Sequence, residues 1–351
     1  MSIHISGIQQ MGIGIPNVHE AWAWYRRHFF IDVPVFEEAA TAALMLPYTG
    51  GEPRDRHAIL ALSKQGGGGF EIWQYTSRVP QPPSFEVKLG DLGLNICKLK
   101  SRDIHLAHAH LTKLSAPGLT PIYEEDGRAH FYCKDLYGNP FQIVQAKDFF
   151  AKDKAPIAGV YGAIIGVSDI AKSLTLYKDI LGYDEVVYEK NGKYADFEEF
   201  QGEDGEFERV LLRHSKARVG GFSEMLGPTE LELIARKDGR GMPIFKDRFW
   251  GDLGYIHLCF DVTNMEALQK ELEAGGFKFT VDSASSFDMG EAAGRFTYIE
   301  DPDGTWIEFV ETHKVPIMKK LGWYLNLKNR KPHKPLPRFM LRAMSLNRKK
   351  D

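Results

Sequence analysis

Cysteine is scarce in this chain: Cys97, Cys133 and Cys259 are the only three in 351 residues. An odd, scattered set neither frames a disulfide scaffold nor supplies the clustered thiolates of a structural zinc site. Long apolar runs are missing too. No window reaches the roughly 18 consecutive apolar residues of a membrane-spanning helix. Residues 1–19 lack the basic-then-apolar pattern of a secretory leader. Charge of one sign is also absent overall, with 44 Lys and Arg against 47 Asp and Glu and a net charge of −3. With 43% apolar and 26% charged residues, the composition excludes a mostly disordered or collagen-like chain. The expectation is a soluble, cytoplasmic protein of two or three domains.

The charge is unevenly spread. Residues 314–351 carry twelve Lys or Arg and one acid, a surplus of eleven, which leaves residues 1–313 at −14. Prolines at 332, 335 and 337 exclude one long basic helix. The expected arrangement is an extension that lays its aromatics, such as Trp323, Tyr324 and Phe339, on the acidic body. Contact with a membrane surface or a protein is the alternative. No nucleic-acid partner is expected, because no recognition motif accompanies the charge.

An internal repeat organises the rest. Residues 8–18, IQQMGIGIPNV, answer residues 160–170, VYGAIIGVSDI, each reading as a strand leading into a helix. Asn17 and Ser168 or Asp169 are suitable helix caps, and Tyr25 and Tyr177 hold the same place in the helices that follow. Further on, GFEIW (69–73) answers ELELI (230–234), and GDLG recurs at 90–93 and 251–254. Helices are expected at 104–114 and 264–274. DLYGNPFQIV (135–144) answers DPDGTWIEFV (301–310), with a turn glycine between alternating strands. The shift between copies grows from 152 to 166 residues, so insertions lie in the second copy, including the acidic stretch 196–208. The chain therefore reads as a tandem duplication: domains at 1–150 and 151–313, a linker near 147–157, and the extension 314–351. Each copy contains two βαβββ units, which predicts an α+β fold of four units with curved sheets around a cavity. The run Gly66–Gly69 precedes a strand instead of opening a helix and reads as a flexible hairpin, not a phosphate cradle.

These residues, above all DPDGTWIE (301–308) and the strand–helix opening at 165–177, resemble the vicinal oxygen chelate superfamily. It includes glyoxalase I, extradiol dioxygenases, methylmalonyl-CoA epimerase and bleomycin-resistance proteins. The resemblance spans about residues 6–146 and 158–312. It implies one divalent metal held by side chains from four strands. The corresponding positions are Gln10, Glu71, Ile96 and Gln142 in the first copy and Gly162, Glu232, His257 and Glu308 in the second.

Ile96 and Gly162 offer no ligand. In glyoxalase-like members the first unit of one domain faces the second unit of the other. That crossed pairing collects Gln10, Glu71, His257 and Glu308 in one cavity and Ile96, Gln142, Gly162 and Glu232 in the opposite one, left empty. Pairing within the second copy would instead give Glu232, His257 and Glu308. The crossed quartet resembles the ligand set of glyoxalase I and suits zinc, nickel, cobalt or manganese. The resemblance then implies a metal-dependent lyase or isomerase acting on a small oxygenated substrate through enediolate chemistry, with Glu308 and Glu71 as the catalytic acid/base pair. An iron-dependent extradiol-type dioxygenase in the second domain and a non-enzymatic binder are the alternatives.

Trp73, Tyr75, Phe131, Tyr298 and Trp306 are available for the cavity wall, and Arg128 and Arg295 for an anionic substrate or the surface. His105, His108 and His110 do not share one helical face and read as surface. Fusion of two copies removes the need for a dimer, so monomer and homodimer both remain open.

Overall fold

The computed structural model describes residues 3–125, 127–198, 205–284, 287–289, 292–318, 322–327 and 330–349. Residues 199–204 of the acidic insertion lie outside this set. Each of the four units opens with a strand and a capped helix. Asn17 accepts from the backbone N–H groups of His19 and Glu20 to start the helix Val18–Phe29. Asp103, Asp169 and Asn264 do the same for Ile104–Lys113, Ile170–Leu174 and Met265–Ala274. A short polar side chain at this position satisfies N–H groups that the first helical turn leaves free. The third helix continues into one π-type turn, Thr175–Ile180. No described helix is long and apolar enough to cross a membrane.

The tyrosine and the turn aspartate of the repeat meet. Tyr25 Oη donates to Asp135 at 2.6 Å, and Tyr177 Oη donates to Asp301 at 2.8 Å. Both pairs are buried and tie the helix of one unit to the last turn of the other unit in the same copy. Each aspartate also caps its own turn, accepting from the N–H groups of residues two and four positions on.

The sheets, in contrast, join units across the copies. One ten-stranded sheet runs in the order Val281–Asp282, Ala292–Glu300, Trp306–Met318, Gly254–Thr263, His4–Gly14, Gly69–Tyr75, Asp55–Ser63, Ile31–Thr41, with Phe287–Met289 and Trp323–Asn326 paired off this path. Its two halves, the last unit and the first, meet through the antiparallel pair His4–Gly14 and Gly254–Thr263. The eight-stranded sheet joins the third unit to the second through Ile157–Gly166 and Gly93–Ser101. Among the described residues, no strand of the third unit pairs with a strand of the fourth.

One large apolar core, running from Trp22, Tyr25 and Phe29 through Phe70 and Phe141 to Leu258 and Phe309, lies behind both sheets. A second cluster, including Leu60, Trp73, Trp250 and Tyr298, fills the concave side of the ten-stranded sheet.

The glycine run is a packed crossing and not a free hairpin. Gly67 N–H donates to Met225, and Gly68 exchanges backbone bonds with Val160. A Cβ on Gly68 would lie 2.7 Å from the Ile8 carbonyl oxygen, so only glycine lets these chains approach.

The described part of the extension lies on the body, but Phe339, expected to pack there, is exposed. Arg348 pairs with Asp32 at 2.5 Å and Arg338 with Glu224 at 2.8 Å. The short helix Arg338–Ala343 buries Leu341, and Met344 follows it inward.

Candidate metal centre

Gln10, Glu71, His257 and Glu308 come from four adjacent strands of the ten-stranded sheet. Register accounts for the meeting: Gly12 stands opposite both His257 and Glu71, and Cys259 stands opposite Gln10 and Glu308. Gly12 makes the room, since a Cβ there would lie 2.3 Å from His257 Cε1. An irregularity between Ile8 and Gln10 brings both Gln9 and Gln10 to the cavity, as a β-bulge can by re-aiming a side chain.

His257 Nε2 lies 3.2 Å from Glu71 Oε2 and 3.0 Å from Glu308 Oε2. Gln10 Nε2 donates to the same two oxygens at 3.0 and 3.3 Å. One ligand atom from each of Glu71, His257 and Glu308 lies within 4.8 Å of the others. His257 is fully buried, and its ring is held parallel to Trp250 at 5.9 Å between centroids. Tyr298 Oη sits 3.5 Å from its Nδ1.

Two buried atoms here have no hydrogen-bond partner: Gln10 Oε1 and His257 Nε2. The imidazole nitrogen is near two carboxylate oxygens but makes a hydrogen bond to neither. An amide oxygen, an imidazole nitrogen and two carboxylates, with these two atoms orphaned, fit a borderline divalent ion.

Electrostatics agree. Burial works against the charged imidazole, but Glu308 and Glu71 hold His257 up at about 9. Burial also works against the Glu71 carboxylate, and His257, Arg56 and Gln10 bring it below the usual range. The group of charges thus needs a cation at its centre, and without an ion a proton on His257 supplies one.

Above these side chains lies a cavity of about 410 Å³. Its wall is mostly apolar, with Phe36, Leu60, Trp73, Phe222, Trp250 and Phe296 prominent. Arg56, the one cationic side chain in the wall among the described residues, is bound to the backbone oxygen of Glu38 at 2.9 Å and to its carboxylate at 3.0 Å. Trp73 and Tyr298 line the cavity as the sequence suggests. Tyr75 stands behind, donating to the Trp250 carbonyl. Phe131 is in the large core, and Trp306 packs between Tyr48 and Phe245. Sequence reasoning missed Trp250 and Met344, which reach the wall from a loop and from the extension; neither carries a pattern that announces it.

The opposite centre corrects the expectation of an empty cavity, because ion pairs fill it. Glu232 accepts from Lys98 at 2.7 Å, Arg209 at 2.7 Å and Tyr188 at 2.9 Å. Glu230 accepts from Lys98 at 3.1 Å, Arg128 at 2.6 Å and Arg213 at 3.0 Å. Asp196, from the insertion, takes Arg209 at 3.3 Å and His130 at 3.2 Å. Ile96 joins a small apolar cluster, and Gln142 donates to Tyr132. At Gly162 a Cβ would lie 1.9 Å from the Glu230 carbonyl oxygen. Glu232 is therefore a partner of built-in cations and stands apart from His257 and Glu308.

Arg128 serves Glu230, and Arg295 pairs with Asp282 at 2.7 Å. His108 and His110 are not free surface groups but contact backbone carbonyls of Thr120 and His28. All three cysteines are free and buried, and burial pushes each thiol up. A further cluster of metal-ligand type, His19, Glu37 and His57, lies toward the surface.

Residues 159–309 match the family model described as Glyoxalase/Bleomycin resistance protein/Dioxygenase superfamily. No curated protein sequence matches the chain. Among solved structures, glyoxalase I from Zea mays is similar with a TM-score of 0.52 at 13% identity, covering 88% of this chain and 92% of its own. A protein described as a "putative dioxygenase" from Bacillus subtilis gives a TM-score of 0.59 at 14% identity, covering 88% and 86%. At such identities the likeness is one of fold.

Proposed function

We propose, for a chain whose residues 159–309 match the glyoxalase/bleomycin resistance/dioxygenase superfamily model, a metal-dependent lyase or isomerase of glyoxalase type. Its substrate is a molecule with an apolar body and a pair of adjacent oxygen functions. The observation that carries the reading is the quartet with its two orphaned atoms, Gln10 Oε1 and His257 Nε2. Gln10, Glu71, His257 and Glu308 would hold one zinc, nickel, cobalt or manganese ion. When bound, such an ion acts as a Lewis acid that stabilises negative charge developing on the substrate oxygens.

The chain's own groups do the rest. Glu308 takes the proton from the substrate carbon and delivers that same proton to the adjacent carbon, with the Glu71 carboxylate as its acid/base partner across the substrate. Gln10 steadies both carboxylates through its amide N–H groups. Trp250 and Tyr298 fix the His257 ring, and the apolar wall excludes water, which strengthens every charge interaction inside. A single imidazole in the quartet argues against the two-His-one-carboxylate triad of an iron oxygenase.

The first and last units meet within one chain, so a monomer suffices. Three free, buried cysteines support a reducing compartment, the cytoplasm. The test is elemental analysis of the purified protein beside Gln10→Ala and Glu308→Gln, with circular dichroism to confirm folding. About one equivalent in the wild type and a loss in both variants is expected. Full metal content in folded variants would overturn the reading.

A further inference from the structure

A second hollow, a groove of about 560 Å³, lies beside the metal cavity. Its cationic wall residues are Lys64, Arg102, Lys147, Lys152, Arg338 and Arg342, and no carboxylate of the described residues lines it. Two of these charges are met from outside, Lys64 by Asp153 at 3.3 Å and Arg338 by Glu224 at 2.8 Å. Arg102, Lys147, Lys152 and Arg342 have no carboxylate partner among the described residues. The guanidinium groups are held over aromatic rings, Arg102 over Phe149 at 4.2 Å and Arg338 over Phe150 at 4.7 Å. Four uncompensated cations in one concavity repel each other, and their shared field favours an anion.

The groove and the metal cavity are neighbours through one thin partition. Leu62, Met225 and Met344 line both. All three are apolar, and the two methionines are flexible enough to yield. On the cavity side the wall is apolar and its one cation, Arg56, is engaged by Glu38. An anionic group thus has its place in the groove, and an apolar group has its place in the cavity.

We infer that the groove binds the anionic head of an amphiphilic substrate, whose apolar chain passes between Leu62, Met225 and Met344 into the metal cavity. The head is a phosphate monoester or a carboxylate. This deepens the proposed function by naming the substrate class, and depends on it only for which end of the molecule reacts.

The test is calorimetry, with the fluorescence of the cavity tryptophans Trp73 and Trp250 as a second readout. The probes are dodecyl phosphate, dodecanoate, dodecanol and inorganic phosphate, all below micelle-forming concentrations. At least one anionic dodecyl probe is expected to bind about tenfold or more tighter than both dodecanol and inorganic phosphate, the two halves adding within one site. The double variant K147E/R342E should lose about tenfold for that probe, as close charge pairs do on reversal, and leave dodecanol unchanged. Leu62→Trp should weaken the dodecyl anions and spare inorganic phosphate.

Equal affinity for the anions and dodecanol, or indifference to K147E/R342E, would overturn the proposal. So would a Leu62→Trp protein that binds the dodecyl anions unaltered, or binding of the head group only on phosphatidylglycerol vesicles. Metal content separates the two readings. Head-group selectivity without bound metal removes the metal reading alone, and bound metal without selectivity removes this proposal alone.

Discussion

Each sheet gathers carboxylates, with Glu71 and Glu232 at corresponding strand positions, and the two sheets neutralise them differently. In the eight-stranded sheet Lys98 and Arg209 are the cations, covalently part of the chain and within 2.7 Å of Glu232. In the ten-stranded sheet Glu71 and Glu308 face Gln10 and His257, and two buried polar atoms, Gln10 Oε1 and His257 Nε2, are left without hydrogen-bond partners. Buried carboxylates need positive charge close by. One site therefore carries its own charge and is a structural lock, while the other keeps a set of side chains that could hold an ion.

The largest expected effect breaks the lock. Arg209→Met leaves Glu232 and Asp196 short of a buried partner and should cost about 3–5 kcal/mol in urea unfolding. Glu308→Gln in the other sheet should cost far less stability while abolishing metal uptake. Equal losses in the two variants would erase the distinction between the centres.

Metal affinity comes next. His257→Ala and Glu71→Gln should each weaken binding of zinc by about 100-fold or more, above the roughly 10–100-fold typical of outer-shell partners. Competition with a chromogenic chelator measures it. His19→Ala, in the surface cluster, should leave this tight site unaltered.

Acid and alkali should act on opposite sheets. Glu230 is held down at about 2, burial being outweighed by Lys98, Arg128 and Arg213, and Glu232 lies lower still. A depressed carboxylate contributes stability above its unfolded value of about 4.5, lost as the pH falls through the folded value. His257 is raised to about 9 in the metal-free protein. Its contribution is complete below about 6.5 and disappears as the pH rises through about 9. Metal-free protein should therefore weaken toward alkaline pH, and Arg209→Met should weaken the acid limb. Thermal melts from pH 2 to 10, with and without zinc, test both limbs; a zinc-independent alkaline limb would contradict the assignment.

The smallest effect concerns the ties between units. Tyr25→Phe leaves Asp135 with one fewer buried donor and should cost about 1–3 kcal/mol, without altering metal content.

The fold was legible because repetition is a long-range signal. The recurring caps, the tyrosine, GDLG and the D-x-x-G turn fix four units before any contact is known. The choice of pairing was less visible, since strand partners 250 residues apart leave no local mark; only the loss of Ile96 and Gly162 as ligands hinted at the crossing. Gln10, Glu71, His257 and Glu308 could be named through the family resemblance, with the repeat register as support. Gly12 was readable in principle as room for the imidazole, but a strand glycine alone does not say for what. The ion-pair network stayed hidden because Lys98, Arg209 and Asp196 look like ordinary polar positions, and their burial is a tertiary fact. The Gly66–Gly69 run misled for the opposite reason: its freedom serves close packing instead of motion.

Anomalous diffraction at the metal edge from zinc-loaded crystals tests the central claim most directly. One peak is predicted, bounded by Gln10, Glu71, His257 and Glu308, with no density of that kind between Lys98 and Arg209. A peak in the eight-stranded sheet, or none beside His257, would contradict the account.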